Sequence, residues 1–435
     1  MSSRARVTRL GASVLGALIV LCATAPAQAT EPIPGPPARP GKTPIGGALL
    51  TGTKVVYKPV AGAKFNPPQM GAASWLLADA DTGEILAAKA PHARYRPAST
   101  LKTLTAITLM PRLKPQATYK PVKADTTADG SAVGLAIGVN YTIDQLWHAL
   151  LLPSANDAAS ALANANGGFQ ETIDQMNAKA ARLQAYDTSA KSPSGLDHDG
   201  QWTSAYDMAL IGRQALAIPE FVGISSTTTY AFPDVDVTDG KRRTHTIFGE
   251  NRLLNHGYPG VVAGKTGFTT EAHRTYWTAV KHGDRTLLVS MFRIDGPTED
   301  AARTLFNWGF KHADELQPIG QLVTPLTDGQ LASAAAAGDS DAAAELAATA
   351  ETVDVATPQP ANSGIPIWRW LLIALVVIGA VIVYLRYRAL RPPAPLSHSQ
   401  TPVRPDADRL PDPDRSPTGT TETAEGEHAD VDALS

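Results

Sequence analysis

The stretch Arg96-Pro97-Ala98-Ser99-Thr100-Leu101-Lys102-Thr103-Leu104-Thr105-Ala106-Ile107-Thr108-Leu109-Met110 decides how this chain is read. Apolar residues recur at helical spacing from Ala98 to Met110, and Pro97 stands just before, where a helix start tolerates it. Ser99 and Lys102 are then three apart on one helical face, so the amine can reach the hydroxyl. A serine hydroxyl needs a base before it attacks at neutral pH. Lysine can be that base if its pKa falls from about 10.4 towards 7, a differential solvation of roughly 4 to 5 kcal/mol. Burial beside a second cation gives such a shift, and Lys265 is the candidate neighbour. In the first helical turn the N–H of Ser99 also sits where oxyanion charge develops. Taken alone, a serine at a helix start with an exposed lysine fits the same letters.

Two later elements change the balance. Ser154-Ala155-Asn156 follows a break at Pro153 and precedes a short helical stretch, so a loop presents both side chains. The hydroxyl can relay a proton, and the amide can donate to and accept from a peptide. An ordinary helix N-cap is the plain alternative. Lys265-Thr266-Gly267 runs into Phe268-Thr269 and reads as an edge strand able to hold a peptide main chain by strand addition. Lys265 and Thr266 then bind a carboxylate, Gly267 permits close approach, and the Phe268 N–H completes an oxyanion hole. One such donor is worth roughly 2.7 to 4 kcal/mol. A phosphate loop is excluded, because that pattern needs Gly where Pro259 stands.

Outward from these elements the chain divides clearly. Trp75 to Ala78 and Glu84 to Ala87 make a hairpin; Ile143–Leu152, Asp157–Asn164 and Phe169–Leu183 are helix candidates. Ser204 to Ala217 opens with Ser204 and Asp207 as a capping box that uses Asp in place of Glu. Strands return at Tyr276–Val280 and Thr286–Phe292, followed by a helix near Glu299–Trp308. Strands at both ends of a helical middle give an α+β domain over residues 71–320. Residues 30–70 are Pro/Gly-rich and read as an extended lead-in, and 321–364 as an Ala-rich stalk.

Both termini carry membrane signals. Arg4, Arg6 and Arg9, an apolar core from Leu10 to Leu21, and Ala27-Gln28-Ala29 make residues 1–29 an export signal. The single cysteine, Cys22, lies inside it, so the mature chain has no disulfide and no Cys-based metal site. Residues 365–385 are an apolar run long enough to span a bilayer. Trp368, Trp370, Tyr384 and Tyr387 flank it, and Arg386, Arg388 and Arg391 place the tail, 386–435, in the cytoplasm as a disordered segment. The expected location is a single-pass cell-membrane protein with its folded domain outside. A net charge of -3 without a basic stripe argues against a nucleic-acid partner. His148, His245, His256 and His273 lack metal-ligand spacing, and no metal or cofactor is expected.

The three elements, in this order, resemble those of the low-molecular-mass penicillin-binding D-alanyl-D-alanine carboxypeptidases. Asp81-Thr82-Gly83, Arg96-Pro97-Ala98-Ser99, Ser154 to Ala159, Ser192 to Asp197, Ala205 to Ala209 and Asn307 to Phe310 extend the likeness over residues 70–315. The leader, C-terminal anchor and alanine bias resemble an actinobacterial, mycobacterial-like member. The resemblance implies a β-lactamase/transpeptidase-like fold, a five-stranded antiparallel sheet flanked by helices. It implies Ser99 as acylated nucleophile, Lys102 as its base and Ser154 as proton shuttle. Asn156, Lys265, Thr266, Gly267, Phe268 and Thr269 are implied to line the substrate site, with peptidoglycan stem peptides and β-lactam antibiotics as ligands. Two features depart from the pattern: the stalk stands where many relatives carry a second β-rich domain, and Phe268 stands where some have His. A serine β-lactamase is the alternative within the superfamily, but no Glu occurs between Glu171 and Glu220, where its deacylating base belongs. A non-catalytic penicillin or muropeptide sensor is the alternative outside enzymes, and the tail offers no signalling segment.

Overall fold

The computed structural model describes residues 44–235 and 242–331. In chain order, strands β1 (Val55–Pro59), β2 (Ala72–Asp79) and β3 (Glu84–Lys89) precede helix α1 (Lys102–Leu109), which extends a 3-10 turn at Ala98–Leu101. Short strands β4 (Thr118–Tyr119) and β5 (Tyr141–Thr142) lead to α2 (Ile143–Leu151), α3 (Asn156–Ala165), α4 (Phe169–Arg182), α5 (Ala205–Leu216) and α6 (Pro219–Ser225). The hairpin β6 (Thr229–Val235) and β7 (Arg242–Phe248) follows, then α7 (Arg252–Asn255), β8 (Val261–Thr269), β9 (His273–His282) and β10 (Arg285–Ile294). Helix α8 (Thr298–His312) and strands β11 (Leu316–Gln317) and β12 (Gly320–Gln321) end the described fold.

The main sheet is antiparallel in the order β11-β1-β3-β2-β10-β9-β8, with β12 also paired to β3. Its central strands are buried on both faces, so β2 and β10 read as nearly continuous apolar runs rather than strict alternation. The period of two still sorts their side chains. Leu76, Ala78, Leu288 and Phe292 enter the core shared with α1, α2, α3 and α5. Trp75, Leu77, Leu287 and Val289 pack on the other face against Leu305 and Phe306 of α8. Helices therefore cover both faces, and β8 is left as an edge strand.

The expected hairpin, the helical middle and the late strands are present with small shifts in their ends. Four expectations need correction. The sheet has eight strands rather than five: β3, β2, β10, β9 and β8 form the central set, and β1, β11 and β12 extend it. The lead-in assigned to residues 30–70 contains built structure from residue 44, because β1 finds its partner in Ala87–Lys89 and Leu50 enters the core. The stalk cannot begin at 321. Gln321 pairs with Glu84, Leu322 is buried, and Tyr206 Oη donates to Gln321 O at 2.9 Å. These pairings are set by residues far away in the chain, which local periodicity does not register. Finally, the capping box at α5 is half made: Asp207 N–H donates to Ser204 Oγ, but the Asp207 carboxylate accepts from Thr188 Oγ1 at 2.7 Å instead. The β6–β7 hairpin was not expected at all.

The export leader, the apolar run at 365–385 and the tail lie outside the described residues. Among the described residues no helix is long and apolar enough to cross a membrane.

Leu322 separates a folded end from a stalk. As a core residue at 1 % exposure, its replacement in Leu322→Ala should cost about 2 to 4 kcal/mol in a urea unfolding curve. A stalk residue in the same position would leave the midpoint unmoved.

Candidate active site

The site forms where the turn at Ala98–Leu101, the α2–α3 connection and β8 meet. Ser99 is half-buried on the 3-10 turn, and Lys102 at the start of α1 is completely buried. The turn is held by strain and by close contact. Ala98 has φ 48°, a left-handed conformation that costs a residue with a side chain. Gly195 packs so tightly beneath it that a Cβ there would lie 1.9 Å from Ala98 O. Thr100 Oγ1 and Thr275 Oγ1 both donate to Pro97 O, at 2.6 and 2.8 Å. On α1, Trp277 Nε1 donates to Thr103 Oγ1 and Thr105 Oγ1 donates to Pro193 O, each at 2.7 Å. Nothing here is free to swing.

Lys102 Nζ touches three oxygens: Ser99 Oγ at 2.9 Å, Asn156 Oδ1 at 2.6 Å and Ser194 O at 2.7 Å. Two of these can only accept. Asn156 turns its oxygen towards the amine because its Nδ2 donates to Asp129 O, and Ser194 offers a backbone carbonyl. A neutral amine has two N–H groups and one lone pair. An ammonium donates to all three oxygens; once neutral, the amine keeps its two N–H groups on the two carbonyls and turns its lone pair to the Ser99 hydroxyl, the one partner of the three able to donate. Burial pushes the Lys102 pKa well below the usual lysine value, and the nearby Lys265 cation adds to the shift; Glu250 and Asp157 oppose it. Such an amine is able to take a proton from the serine beside it.

Asp157 keeps the Asn156 end of the site in place. Its buried carboxylate accepts from the N–H groups of Val133, Gly134 and Leu135 at 2.9 to 3.2 Å, and from its neighbour Ala158 at 2.8 Å. Asn156 N–H in turn donates to Ser131 O at 2.6 Å. The 131–135 loop is thereby tied to the start of α3. Ser154 stands apart from this network. It has φ 63°, its Oγ is buried, and that Oγ has no hydrogen-bond partner among the described residues. A buried hydroxyl left unpaired in a strained loop is an uncommon combination, and it leaves a donor ready for a ligand.

Strand β8 supplies the opposite wall. Gly267 lies so close to the serine turn that a Cβ would meet Ser99 N at 2.7 Å and Thr100 N at 2.9 Å. Lys265 is almost fully buried, and burial lowers its pKa while Glu250 opposes the shift. Its Nζ lies 3.0 Å from Thr266 O and 3.5 Å from Glu250 Oε2, and Thr266 Oγ1 lies 3.3 Å from the same carboxylate oxygen. Phe268 is exposed on the edge strand with the Arg274 guanidinium 5.7 Å from its ring centre, and Thr269 pairs with His273 at the strand end.

All the expected residues therefore lie on the three elements that converge, although Ser154 makes no hydrogen bond to Ser99 or Lys102. Asn156 was expected to contact substrate; in this structure both ends of its amide are engaged within the protein. Three participants escaped the sequence reading: Ser194 O, Asp129 O and Glu250. The first two are backbone groups and have no side-chain signature. Glu250 lies outside every motif, just ahead of Asn251, the cap of α7.

Comparison with known proteins finds relatives of one family. The profile of the D-alanyl-D-alanine carboxypeptidase family, Peptidase S11, matches residues 61–293. The D-alanyl-D-alanine carboxypeptidase DacB2 of Mycobacterium tuberculosis is 40% identical over 250 residues, 56% of this chain and 84% of that one. DacF of Bacillus subtilis, another D-alanyl-D-alanine carboxypeptidase, is 30% identical over 268 residues, 60% of this chain and 67% of that one. The solved D-alanyl-D-alanine carboxypeptidase of Mycobacterium tuberculosis H37Rv superposes with TM-score 0.56 at 38% identity, covering 62% of this chain and 100% of that one. The Streptomyces K15 DD-transpeptidase gives TM-score 0.54 at 27% identity, covering 57% and 100%.

The contact of Gly267 with the serine turn has a direct test. Gly267→Ala must push β8 away from backbone atoms that cannot yield, so we expect a loss of about 1 to 3 kcal/mol in chemical unfolding. An unchanged midpoint would mean that strand and turn are not in contact.

Proposed function

Because the chain belongs to the D-alanyl-D-alanine carboxypeptidase family, we propose that it removes the terminal D-Ala from peptidoglycan stem peptides through an acyl-enzyme on Ser99. The observation that carries this reading is the contact set of Lys102: two obligate acceptors and one hydroxyl around a buried amine. Lys102 takes the Ser99 proton as Oγ attacks the carbonyl between the two D-Ala residues. The oxyanion forms against the N–H groups of Ser99 and Phe268, which the Gly267 contact brings close together. Lys102 then holds the proton required by the departing amine, and the unpaired Ser154 hydroxyl is suited to relay it. Water attacks the resulting ester with Lys102 neutral again, which restores free Ser99 and releases the shortened peptide.

Lys265 and Thr266 are the proposed partners of the terminal carboxylate, with Gly267, Phe268 and Thr269 offering edge-strand backbone to the peptide. Asn156 acts first on Lys102, and it reaches substrate through Nδ2 only by giving up Asp129 O. A β-lactam offers an amide, here strained by its ring, and a carboxylate to the same groups, and acylates Ser99 without quick release. The export leader, the apolar run at 365–385 and the arginines after it support a domain anchored to the outer face of the membrane.

Intact-cell labelling with a membrane-impermeant fluorescent penicillin tests the site and the location together. We expect a stable adduct that maps to Ser99, disappears in Ser99→Ala and forms without breaking the cells. Labelling of Ser99 only after lysis would refute the outside location; no adduct, or rapid multiple turnover of the penicillin, would refute the carboxypeptidase site. The pH dependence of acylation tests the base. Loss of one neighbouring cation in Lys265→Gln raises the Lys102 pKa, so the acid limb of the acylation rate should move to higher pH. A limb that stays in place would remove Lys265 from the activation of Lys102.

A further inference from the structure

Glu250 belongs to none of the three motifs, yet its carboxylate sits on the two side chains assigned to the substrate carboxylate. Oε2 lies 3.5 Å from Lys265 Nζ and 3.3 Å from Thr266 Oγ1. The backbone that carries it is fixed on both sides. Glu250 N–H donates to Leu152 O at 3.1 Å, where α2 ends. The next residue, Asn251, caps α7 by accepting from Leu254 N–H and also accepts from Tyr276 Oη. The Glu250 side chain is half-exposed while Lys265 is buried. Among the described residues no other carboxylate lies within 4 Å of Lys265.

Leu152, Thr227, Glu250, Asn251, Lys265 and Thr266 line the same recess, and among the described residues the buried Asn251 Nδ2 has no hydrogen-bond partner. A buried amide donor without an acceptor is uncommon in a site that is complete without ligand.

We propose that Glu250 is a built-in occupant of the carboxylate subsite, which the substrate's terminal carboxylate must displace from Lys265 and Thr266. The inference rests on the assignment of those two residues to the carboxylate. A buried ammonium needs an opposite charge, and Glu250 meets that need in the empty site. Two carboxylates at one ammonium repel each other, so arrival of the substrate's carboxylate favours rotation of Glu250 towards solvent. An ion pair with one exposed partner is weak enough to exchange in this way. Glu250 is thus a specificity-determining residue: it sets how tightly a free carboxylate is held without taking part in bond making.

The test compares wild type with Glu250→Gln and Glu250→Ala. KM and kcat are measured on a peptide ending in D-Ala-D-Ala, and competitive inhibition constants for N-acetyl-D-alanine and N-acetyl-D-alaninamide. We expect both variants to lower KM and the inhibition constant of the acid by about fivefold, and to leave the amide's inhibition constant within about twofold. Unchanged or raised constants for the acid, or a fall in kcat alone, would overturn the proposal. If wild type itself fails to prefer the acid to the amide, it is the assignment of Lys265 and Thr266 that fails.

Discussion

A lysine amine without access to water, held against two oxygens that can only accept, governs the rest of this structure. Lys102 can satisfy those acceptors as a neutral amine and still turn its lone pair to Ser99, and burial favours that neutral form over the ammonium, which would donate to all three oxygens. Most of the local architecture serves that arrangement. Asn156 is oriented by Asp129 O, the Asn156 backbone is fixed by the Asp157 carboxylate and its loop, and Ser194 arrives on the turn whose Gly195 wedges under Ala98. Strained backbone at Ala98 and Ser154 persists because these contacts leave no relaxed alternative.

Charge links the walls of the cleft. Lys265 on β8 lowers the Lys102 pKa across the site, while Glu250 opposes the shift at both lysines. The strand proposed to receive the carboxylate therefore also adjusts the pKa of the proposed base. In the proposed reaction, ligand binding at one wall and proton transfer at the other are thus coupled through space by charge.

The sequence made the essential pairing legible because a spacing of three on a helix brings Ser99 to Lys102 regardless of the fold around it. Pro153 and the run from Gly264 to Thr269 marked the other walls for similar local reasons. The central strands were readable from their apolar runs, and the helices from their period. What stayed hidden depends on distant partners. β11 and β12 are two residues each, too short to declare themselves, β1 is defined by pairing with β3 and β11, and Leu322 is buried only because Gly320–Gln321 returns to β3. Ser194 O comes to Lys102 from 92 positions away, and a carbonyl has no letter of its own. Glu250 is a common residue in an unremarked stretch until β8 is laid beside it.

The central claim concerns one proton. Selective 13C-ε labelling of lysine, with the Lys102 resonance identified by its loss in Lys102→Ala, follows that proton directly by NMR as pH is varied. The account requires the Lys102 resonance to show a neutral amine well below the ordinary lysine value of about 10.4. A Lys102 that remains an ammonium up to that pH would contradict it.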